Sequence, residues 1–360
     1  MKEKMRLNML SFLFICFFLL LPLKIVSAEE SGIGFSIEPV YSSNQIDTKK
    51  DFYYLLTKPD IEQIIEVDVI SSQKAPIDVG VSIQNGISQS NGQIGYTEEE
   101  KKLDASLKNP FSSLFAKDSI NKVVTVENFE KKRIRLKFLP PKESYPGVKV
   151  GALVFSEVKK DDPSKGVGNQ YAVRIGVLLS ESGDVYNDSQ TLELKNAKAT
   201  VKNSRKLVIG RLQNSDPKLL DRLNLKGEIK RKGTDKVIKT VKADNYTMAP
   251  NSHMDLEFDW GIDDIKSGSY EMIIKADTPN KKWTLKKDFT ITSEEANKVN
   301  EESGIHINTP TWIKVLGCIF GVVTILITSL IVIRIRKKEK EWNKIQLRRK
   351  KKKDRNKRRR

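Results

Sequence analysis

KKRIRLKFL, the stretch at residues 131–139, alternates strictly between basic and apolar side chains from its third position to its eighth. In an extended chain successive side chains point to opposite faces, so the apolar residues share one face and Arg133, Arg135 and Lys137 share the other. A period of two with one apolar face is typical of a β-strand that covers a core on one side only. This stretch therefore predicts a sheet with one buried face and one basic face in solvent.

The segments on both sides of this stretch have the same character. Four of them are rich in apolar and β-branched residues over strand-like lengths: 61–70, 77–83, 147–158 and 171–179. The last two are the most continuously apolar, as expected for strands in the middle of a sheet. We predict that residues 31–181 form a first all-β domain, an antiparallel β-sandwich.

Two connections within this domain are also recognisable from composition. Residues 159–170, KKDDPSKGVGNQ, contain the Asp, Pro and Gly residues that favour a hairpin loop. Residues 97–115 are the one helical candidate, but Pro110 interrupts them, so we predict an irregular connection with a short helix.

A second set of strands follows a turn-rich linker at residues 182–189. Its predicted members are 206–213, 225–230, 236–241, 254–260, 270–275 and 283–291. Short strands at this spacing over about a hundred residues predict a second, immunoglobulin-like β-sandwich at residues 187–292. Tyr270 follows a turn and fits either a tyrosine corner or an ordinary core position. Trp283 is expected in the core between the sheets, whereas the place of Trp260 is undecided.

An uncharged run of nineteen residues, VLGCIFGVVTILITSLIVI at 315–333, is long enough to cross a bilayer as a helix. Trp312 precedes it where interfacial aromatic residues occur, so the membrane helix is placed at 312–333. The basic tail at 334–360 is expected to stay in the cytoplasm, which predicts a single-pass protein of the cell membrane with its preceding domains outside. The polar residues 293–311 are predicted to be a short stalk with one or two helical turns.

The N-terminal segment supports this orientation. Three basic residues precede an apolar core, and small residues end the segment at Ala28. These features predict a signal peptide at residues 1–28, cleaved between Ala28 and Glu29, in preference to an uncleaved membrane helix.

The net charge of +18 is concentrated at the two ends of the chain. Residues 334–360 contain 17 Lys or Arg and 3 Asp or Glu, a net charge of +14, and residues 1–28 contain four basic and one acidic residue, a net charge of +3. The region between them therefore carries only +1, which argues against nucleic acid as a partner. The tail is expected to contact anionic membrane lipid; RNA binding is the alternative, although blocks of like charge are usually solvated and disordered.

No arrangement of residues marks a catalytic, cofactor or metal site. Cys16 and Cys318 both lie in the apolar segments, so the region between them can form no disulfide. The histidines, His253 and His306, have no neighbours at metal-ligand spacing, and His253 is expected to be exposed in a turn. The acidic loop at 259–264 does not have the spacing of a calcium loop and is expected to be an ordinary turn.

Candidate binding residues lie in the first domain. Tyr53 and Tyr54 are adjacent, so one ring should face inward and the other outward, where it can stack on a sugar ring. The alternative is that the ring only covers a sheet edge. The basic face of Arg133, Arg135 and Lys137 suits an acidic wall polymer, with ordinary solvated charge as the alternative.

Several short motifs occur in a fixed order along the chain. In the first domain they are FSIEPV (35–40), NQID (44–47), NPF (109–111), YPG (145–147), GALVF (151–155) and the segment 171–181 that ends in LSE. In the second domain they are LQN (212–214), MAPNS (248–252) and KKWTLKKDFTIT (281–292). Taken in this order, the motifs make nearly the whole chain resemble the WxL-interacting protein family of Gram-positive cell surfaces. One departure is Ala152, where a second glycine is expected.

The resemblance implies a non-enzymatic adaptor or adhesin. In that family the first domain is assigned to peptidoglycan binding and the second to host binding. The partners so implied are peptidoglycan, a WxL cell-wall protein and a host extracellular-matrix protein. Two other classes stay open, a membrane-anchored hydrolase of the cell wall and a transmembrane sensor, although a short basic tail is too small to be a folded output domain.

Overall fold

The structure, a computed structural model, describes residues 34–158, 171–304 and 311–357. The predicted signal peptide, with its cleavage site between Ala28 and Glu29, and the predicted loop at 159–170 lie outside the described residues. The strands of the first half are β1 (Phe35–Val40), β2 (Tyr53–Leu56), β3 (Gln63–Ser71), β4 (Ile77–Ser88), β5 (Ile94–Thr97), β6 (Lys122–Val126), β7 (Lys131–Phe138), β8 (Val148–Glu157) and β9 (Ala172–Ser180).

The strands of the second half are β10 (Glu193–Lys202), β11 (Arg205–Asn214), β12 (Leu220–Arg231), β13 (Val237–Met248), β14 (Ser252–Asp259), β15 (Gly268–Asp277) and β16 (Lys282–Ile291). Two α-helices follow, α1 (Ser293–Glu302) and α2 (Thr311–Lys357). An all-β fold followed by one C-terminal apolar helix is therefore confirmed.

The first sandwich consists of β1 to β9. One sheet has the order β1-β3-β7, and the other has the order β2-β9-β8-β4-β5, with β6 also paired to β4. The alternation predicted for residues 131–139 is present, because the apolar side chains of β7 are buried and its basic ones are exposed. The prediction of an entirely antiparallel sandwich is wrong at one edge, where β2 runs parallel to β9.

Two of the sequence motifs meet inside this core. Residues Phe111–Leu114 form a 3-10 turn, which confirms the predicted irregular connection, and the ring of Phe111 is buried against β8. A Cβ atom on Gly151 would lie 1.9 Å from Cδ1 of Phe111, so this position has no room for a larger residue. Ala152 points to the opposite face of β8 and is fully buried there. The departure at Ala152 therefore leaves the glycine contact with Phe111 unchanged.

The second sandwich has seven strands in two sheets, with the orders β10-β11-β14 and β13-β12-β15-β16. All six predicted strands are present, each at its expected place. β10 is an additional strand, and its sequence, ELKNAKATVK, is polar and largely exposed, so it gave no strand signal.

Tyr270 is a tyrosine corner at the start of β15. Its side chain is 2% exposed and its hydroxyl donates a hydrogen bond to the carbonyl oxygen of Lys266 at 2.6 Å. The buried tryptophan beside it is Trp260, whose ring is perpendicular to that of Tyr270 at 6.4 Å. The prediction that Trp283 fills the core is wrong: it lies half-buried on the edge strand β16, with the ammonium of Lys281 5.4 Å from its ring centre.

The segment predicted as a stalk begins with a helix that packs on the protein. The hydroxyl of Thr292 accepts a hydrogen bond from the backbone of Glu295, whose carboxylate accepts one in return, so α1 starts with a capping box. Ala296 and Val299 are buried, and the side chain of Asn300 bonds both backbone groups of Ile265. The predicted helical turns are present as α1. They pack against the second sandwich and do not form a stalk that is separate from it.

α2 contains the predicted membrane helix. The part of this helix from Val315 to Ile345 contains a stretch long and apolar enough to cross a bilayer, and none of that stretch is buried against protein. A helix of this composition without protein cover is suited to a lipid environment. The α-helix itself extends beyond the predicted membrane segment, because α2 continues through most of the basic tail to Lys357.

The chain forms two compact units. The larger contains the described residues up to 197 together with 210–257 and 271–289, so it includes all of the first sandwich and most of the second. The smaller contains residues 198–209, 258–270 and the described residues from 290 onward.

Within the larger unit, the two sandwiches are joined by backbone hydrogen bonds. The amide of Val148 donates to the carbonyl of Pro217, and the amide of Thr247 donates to that of Gly92, both at 2.8 Å. The hydroxyl of Ser88 accepts from the amide of Ala249 at 2.8 Å. The sandwiches are therefore not independent domains on a free linker.

We expect that a fragment ending at residue 157, after β8, does not fold. It lacks β9, which lies between β2 and β8 and buries the side chains of Ile175, Val177 and Leu179. Circular dichroism should show no cooperative thermal transition for residues 34–157, whereas residues 34–304 should unfold cooperatively. A sigmoidal transition with a β-sheet spectrum in the shorter fragment would contradict this role of β9.

We expect Tyr270→Phe to lower the free energy of unfolding by about 0.5–1.5 kcal/mol, because the mutation removes the partly buried hydrogen bond to the carbonyl of Lys266. Tyr171→Phe, at a side chain that is 43% exposed, is the matched control and should change stability little. Denaturant titration of both variants provides the measurement. Equal stability of the two variants would contradict the corner assignment.

Candidate functional site

The basic residues predicted as a binding face are members of a charge ladder, which we define as the ion pairs between β7 and its neighbours. Arg133, Arg135 and Lys137 are exposed, as predicted, but each faces a carboxylate of the adjacent strand or its start. The pairs are Arg133–Asp68 (2.8 Å), Arg135–Glu66 (2.7 Å) and Lys137–Glu62 (2.9 Å). The basic side chains are therefore exposed but paired with acidic partners, which agrees better with the alternative of ordinary solvated charge than with a free basic face.

Asp68 is the most enclosed member of the charge ladder. Its side chain is 5% exposed, and hydrogen bonds from the guanidinium of Arg133 lower the pKa of its carboxyl despite the opposing effect of burial. Lys131 adds a second cation 3.3 Å from Asp68, and it also pairs with the carboxylate of Glu38 at 2.7 Å. The ladder thus has balanced charge, and it would attract an acidic polymer only weakly.

Tyr53 and Tyr54 are both buried. Tyr53 points into the core with 1% exposure, its hydroxyl donates to the carbonyl of Glu66, and burial raises the pKa of that hydroxyl. Tyr54 points to the opposite face of the sheet, as predicted, but it is only 4% exposed because the ring of Tyr186 covers it at 5.0 Å. The prediction that one of the two rings is free to stack on a sugar is therefore wrong.

A cleft of about 460 Å³ lies beside Tyr54 on this outer face of the larger sheet. Its floor is apolar, with Val150, Leu178 and Leu219. Its remaining lining includes three aromatic side chains (Phe52, Tyr96 and Tyr186) and four polar ones (Asp51, Arg174, Asn187 and Asp221). We call this the Tyr96 cleft.

Alternation along β9 places residues in the Tyr96 cleft. Ile175 and Val177 point into the core, so Arg174, Gly176 and Leu178 point outward. A Cβ atom on Gly176 would lie 3.3 Å from the hydroxyl of Tyr96, which shows how closely this side chain from β5 approaches β9.

The charged groups of the Tyr96 cleft have defined surroundings. Asp221 accepts hydrogen bonds from Thr247 Oγ1 at 2.9 Å and from Asn187 Nδ2 at 3.4 Å, so its carboxylate is held in place. Arg174 is exposed and forms no ion pair with a carboxylate of the described residues. Burial raises the pKa of Tyr96, although the charge of Arg174 opposes the shift, so Tyr96 is a neutral phenol at physiological pH.

A buried lysine closes one end of the first sandwich. The ammonium of Lys149 donates to the carbonyl oxygens of Lys108 (2.8 Å) and Asn109 (3.0 Å), and it lies 4.6 Å from the ring centre of Tyr145. Burial lowers the pKa of Lys149 to about 8, with a smaller opposing effect from Glu181.

The same end of the sandwich brings further motifs together. The hydroxyl of Tyr145 is 3.0 Å from Thr57 Oγ1, the amide of Thr57 donates to Ser180, and the hydroxyl of Ser180 donates to Gly147. The NPF, YPG and LSE motifs therefore share one hydrogen-bonded cluster, whose role is to close the sandwich.

The prediction that His253 is exposed in a turn is wrong. His253 lies in β14, at the joint of the two sandwiches. Its Nδ1 is 2.8 Å from Oδ2 of Asp104, and its side chain is 22% exposed. Burial would raise the pKa of Asp104, but hydrogen bonds from Ser106, His253 and Gln213 together lower it. The histidine is therefore a structural partner of Asp104.

The acidic loop at 259–264 is arranged around a lysine. The ammonium of Lys206 is 2.8 Å from Oδ1 of Asp264, and its side chain is only 1% exposed. It also donates to the carbonyl oxygens of Ile262 and Asp263. Among the described residues there is no group of three or more His, Cys, Asp or Glu side chains that could hold a metal ion.

The sequence did not identify the Tyr96 cleft. One local signal was available, because Arg174 and Gly176 interrupt the apolar residues of β9 and fall on one face. Three other lining residues come from distant segments of the chain: Tyr96, Tyr186 and Asp221. Only tertiary packing brings them together, and no spacing in the sequence indicates that packing.

Two family models match the chain. The model described as WxL Interacting Protein, peptidoglycan binding domain, matches residues 35–157, and the model described as WxL Interacting Protein, host binding domain, matches residues 163–301. No curated protein matches the sequence.

Several solved structures show a distant similarity to this chain. They include the CsuC–CsuE chaperone–tip adhesion subunit complex of Acinetobacter baumannii (13% identity, TM-score 0.30, covering 70% of this chain and 97% of that chain). The class 5 fimbriae chaperone CfaA (12% identity, TM-score 0.26, 70% and 98%) and the E. coli chaperone DraB (14% identity, TM-score 0.24, 63% and 89%) are further examples. At these values the likeness carries no argument about function.

Two β-sandwiches that match a peptidoglycan-binding and a host-binding family model, followed by an apolar helix, indicate a cell-surface binding protein. The chain belongs to the WxL Interacting Protein family, with its two domains in the order that the sequence motifs indicated. The boundary between the two family models falls between β8 and β9, although β9 is a central strand of the first sandwich. The structural border between the sandwiches lies after β9.

We expect the contribution of Lys149 to stability to increase with pH between about 8 and 10.4. The folded pKa is about 8 and the unfolded pKa about 10.4, so in this range the unfolded state binds more protons and the folded state gains stability as pH rises. The free energy of unfolding of the wild type minus that of Lys149→Met should rise across this range. The same difference for exposed Lys226→Met is the control, and a flat difference for Lys149→Met would contradict the burial effect.

Proposed function

We propose that the protein is a non-enzymatic adaptor of the Gram-positive cell surface. Its first sandwich binds peptidoglycan, and its second recruits a WxL cell-wall protein or a host extracellular-matrix protein. The observation that carries this proposal is the pair of family domains in this order on one chain. The Tyr96 cleft supports it, since aromatic and charged side chains converge there on the first sandwich.

The proposed topology is a single-pass membrane protein with its sandwiches outside the cell. An apolar helix followed directly by Arg334, Arg336, Lys337 and Lys338 has the charge asymmetry of a segment whose C-terminal flank stays inside. A signal peptide cleaved between Ala28 and Glu29 gives the same orientation. The basic tail would then contact anionic lipid of the inner leaflet.

The second sandwich offers strand edges to a protein partner. β13 and β16 are the outer strands of its four-stranded sheet, and β13 already bonds the first sandwich at one end, where the amide of Thr247 donates to the carbonyl of Gly92. An unpaired edge can bind an extended segment of a partner through backbone hydrogen bonds, while side chains of that segment provide specificity. The half-buried ring of Trp283 on β16 is an apolar contact beside this edge.

Sedimentation with purified sacculi tests the proposal. We expect the full chain in non-ionic detergent to sediment with Gram-positive sacculi and to release no soluble muropeptides during prolonged incubation. Protein alone and heat-denatured protein are the controls. Absence of the chain from the pellet would overturn peptidoglycan binding, and steady release of muropeptides would favour a membrane-anchored wall hydrolase.

A further inference from the structure

We propose that the Tyr96 cleft is the site for a carboxylate-bearing N-acetylated sugar, the muropeptide unit of peptidoglycan, and that the second sandwich completes this site. The inference rests on the proposed function and adds to it the ligand chemistry and the residues. It also assigns a part in wall binding to the domain that the family description reserves for the host.

The apolar parts of the cleft fit the face of a sugar ring. A hexosamine has C–H groups on its faces and hydroxyl and acetamido groups around its edge, so it requires an apolar surface bordered by polar groups. Leu178 and Leu219 provide that surface, and the half-buried rings of Tyr96 and Tyr186 stand beside it. Tyrosine rings combine a large apolar face with a hydroxyl that remains available for hydrogen bonds.

These rings are held in place before a ligand arrives. Tyr186 packs edge-on against buried Tyr54, whose hydroxyl donates to the carbonyl of Asp184 at 2.9 Å. Tyr96 lies against Gly176, where a larger residue would approach its hydroxyl. A preformed site of this kind spends less binding free energy on ordering side chains.

The charged groups of the cleft suit the carboxylate and hydroxyl groups of a muropeptide. Arg174 provides a guanidinium for the carboxylate groups of the stem peptide, and such pairs form two parallel hydrogen bonds. Asp221, held by Thr247, accepts hydrogen bonds from sugar hydroxyls. Asp221 lies 3.8 Å from Nε of Arg222, so its negative charge is partly compensated within the protein.

The second sandwich supplies part of this surface. Asp221 lies in β12 of the second sandwich, and Leu219 directly precedes that strand. Tyr186 lies in the linker between the sandwiches. The amide of Leu219 donates to the carbonyl of Tyr186 at 2.7 Å. The carbonyl of Leu219 accepts from the amide of Ser189 at 3.0 Å. The floor and one wall of the cleft thus depend on the joint between the sandwiches.

Calorimetric titration of the full chain in detergent tests the inference. The probes are a purified disaccharide muropeptide with its stem peptide, and chitotetraose, which has N-acetylated sugars but no carboxylate. We expect Tyr96→Ala to weaken binding of both probes about tenfold or more, as for loss of a stacking ring. Arg174→Met should weaken the muropeptide about tenfold and leave chitotetraose unchanged.

Two further variants complete the design. Asp221→Asn should weaken binding of both probes, and this result would show that the second sandwich takes part. Arg135→Met, in the charge ladder, is the matched control and should bind both probes as the wild type does. Thermal unfolding verifies that each variant is folded.

The outcomes separate the inference from the proposed function. Unchanged muropeptide binding in folded Tyr96→Ala and Arg174→Met would overturn the cleft assignment and leave wall binding at another place on the surface. Equal loss of both probes in Arg174→Met would overturn the carboxylate assignment. Unchanged binding in Asp221→Asn would overturn the part of the second sandwich. A wild type that binds neither sacculi nor muropeptide would overturn the proposed function itself.

Discussion

The outer face of the larger sheet in the first sandwich is apolar, and this constraint governs how the two sandwiches are joined. Tyr54, Val148, Val150 and Leu178 form a buried cluster on the side that faces away from the main core, and Leu219 completes it. A single sandwich would leave this cluster exposed to water, which costs about 25 cal/mol of free energy for each Å² of apolar surface. The linker and the start of the second sandwich cover it, so the two sandwiches stabilise one another.

The joint that results is polar as well as apolar. Ser88 and Ser252 are buried within hydrogen-bonding distance of each other, and Asp104 accepts hydrogen bonds from His253 and Gln213. Buried polar groups are tolerated only when they have partners, so these bonds fix one relative placement of the strands within this unit. A cleft built across such a joint keeps its shape, which is a requirement for recognising a rigid sugar.

Local patterns in the sequence predicted most of the fold. Strict alternation identified β7, continuous apolar runs identified β8 and β9, and a charge-free run identified the membrane helix. Strands without such patterns, among them the polar β10 and the short β2, were not assigned. The parallel pairing of β2 with β9 also has no sequence signal, because strand direction is set by the path of the chain.

The candidate site was much less predictable than the fold. Sequence reasoning identified exposed cations on β7, but it could not identify the carboxylates opposite them, because the partners are about seventy residues away along the chain. It correctly placed Tyr53 and Tyr54 on opposite faces, but exposure depends on what covers each face. The covering residue, Tyr186, is distant in sequence and comes from a linker that was predicted only as a turn.

Only a short segment connects α1 to α2, and its length limits how far the second sandwich can lie from the start of α2. Gly304 is hydrogen-bonded to Ser204 in the second sandwich, and α2 begins at Thr311. Even a fully extended chain between these points spans at most about 25 Å. Under the proposed topology the C-terminal end of α1 therefore stays within about 25 Å of the start of α2. A partner that contacts α1 would then have to come within a similar distance of the bilayer.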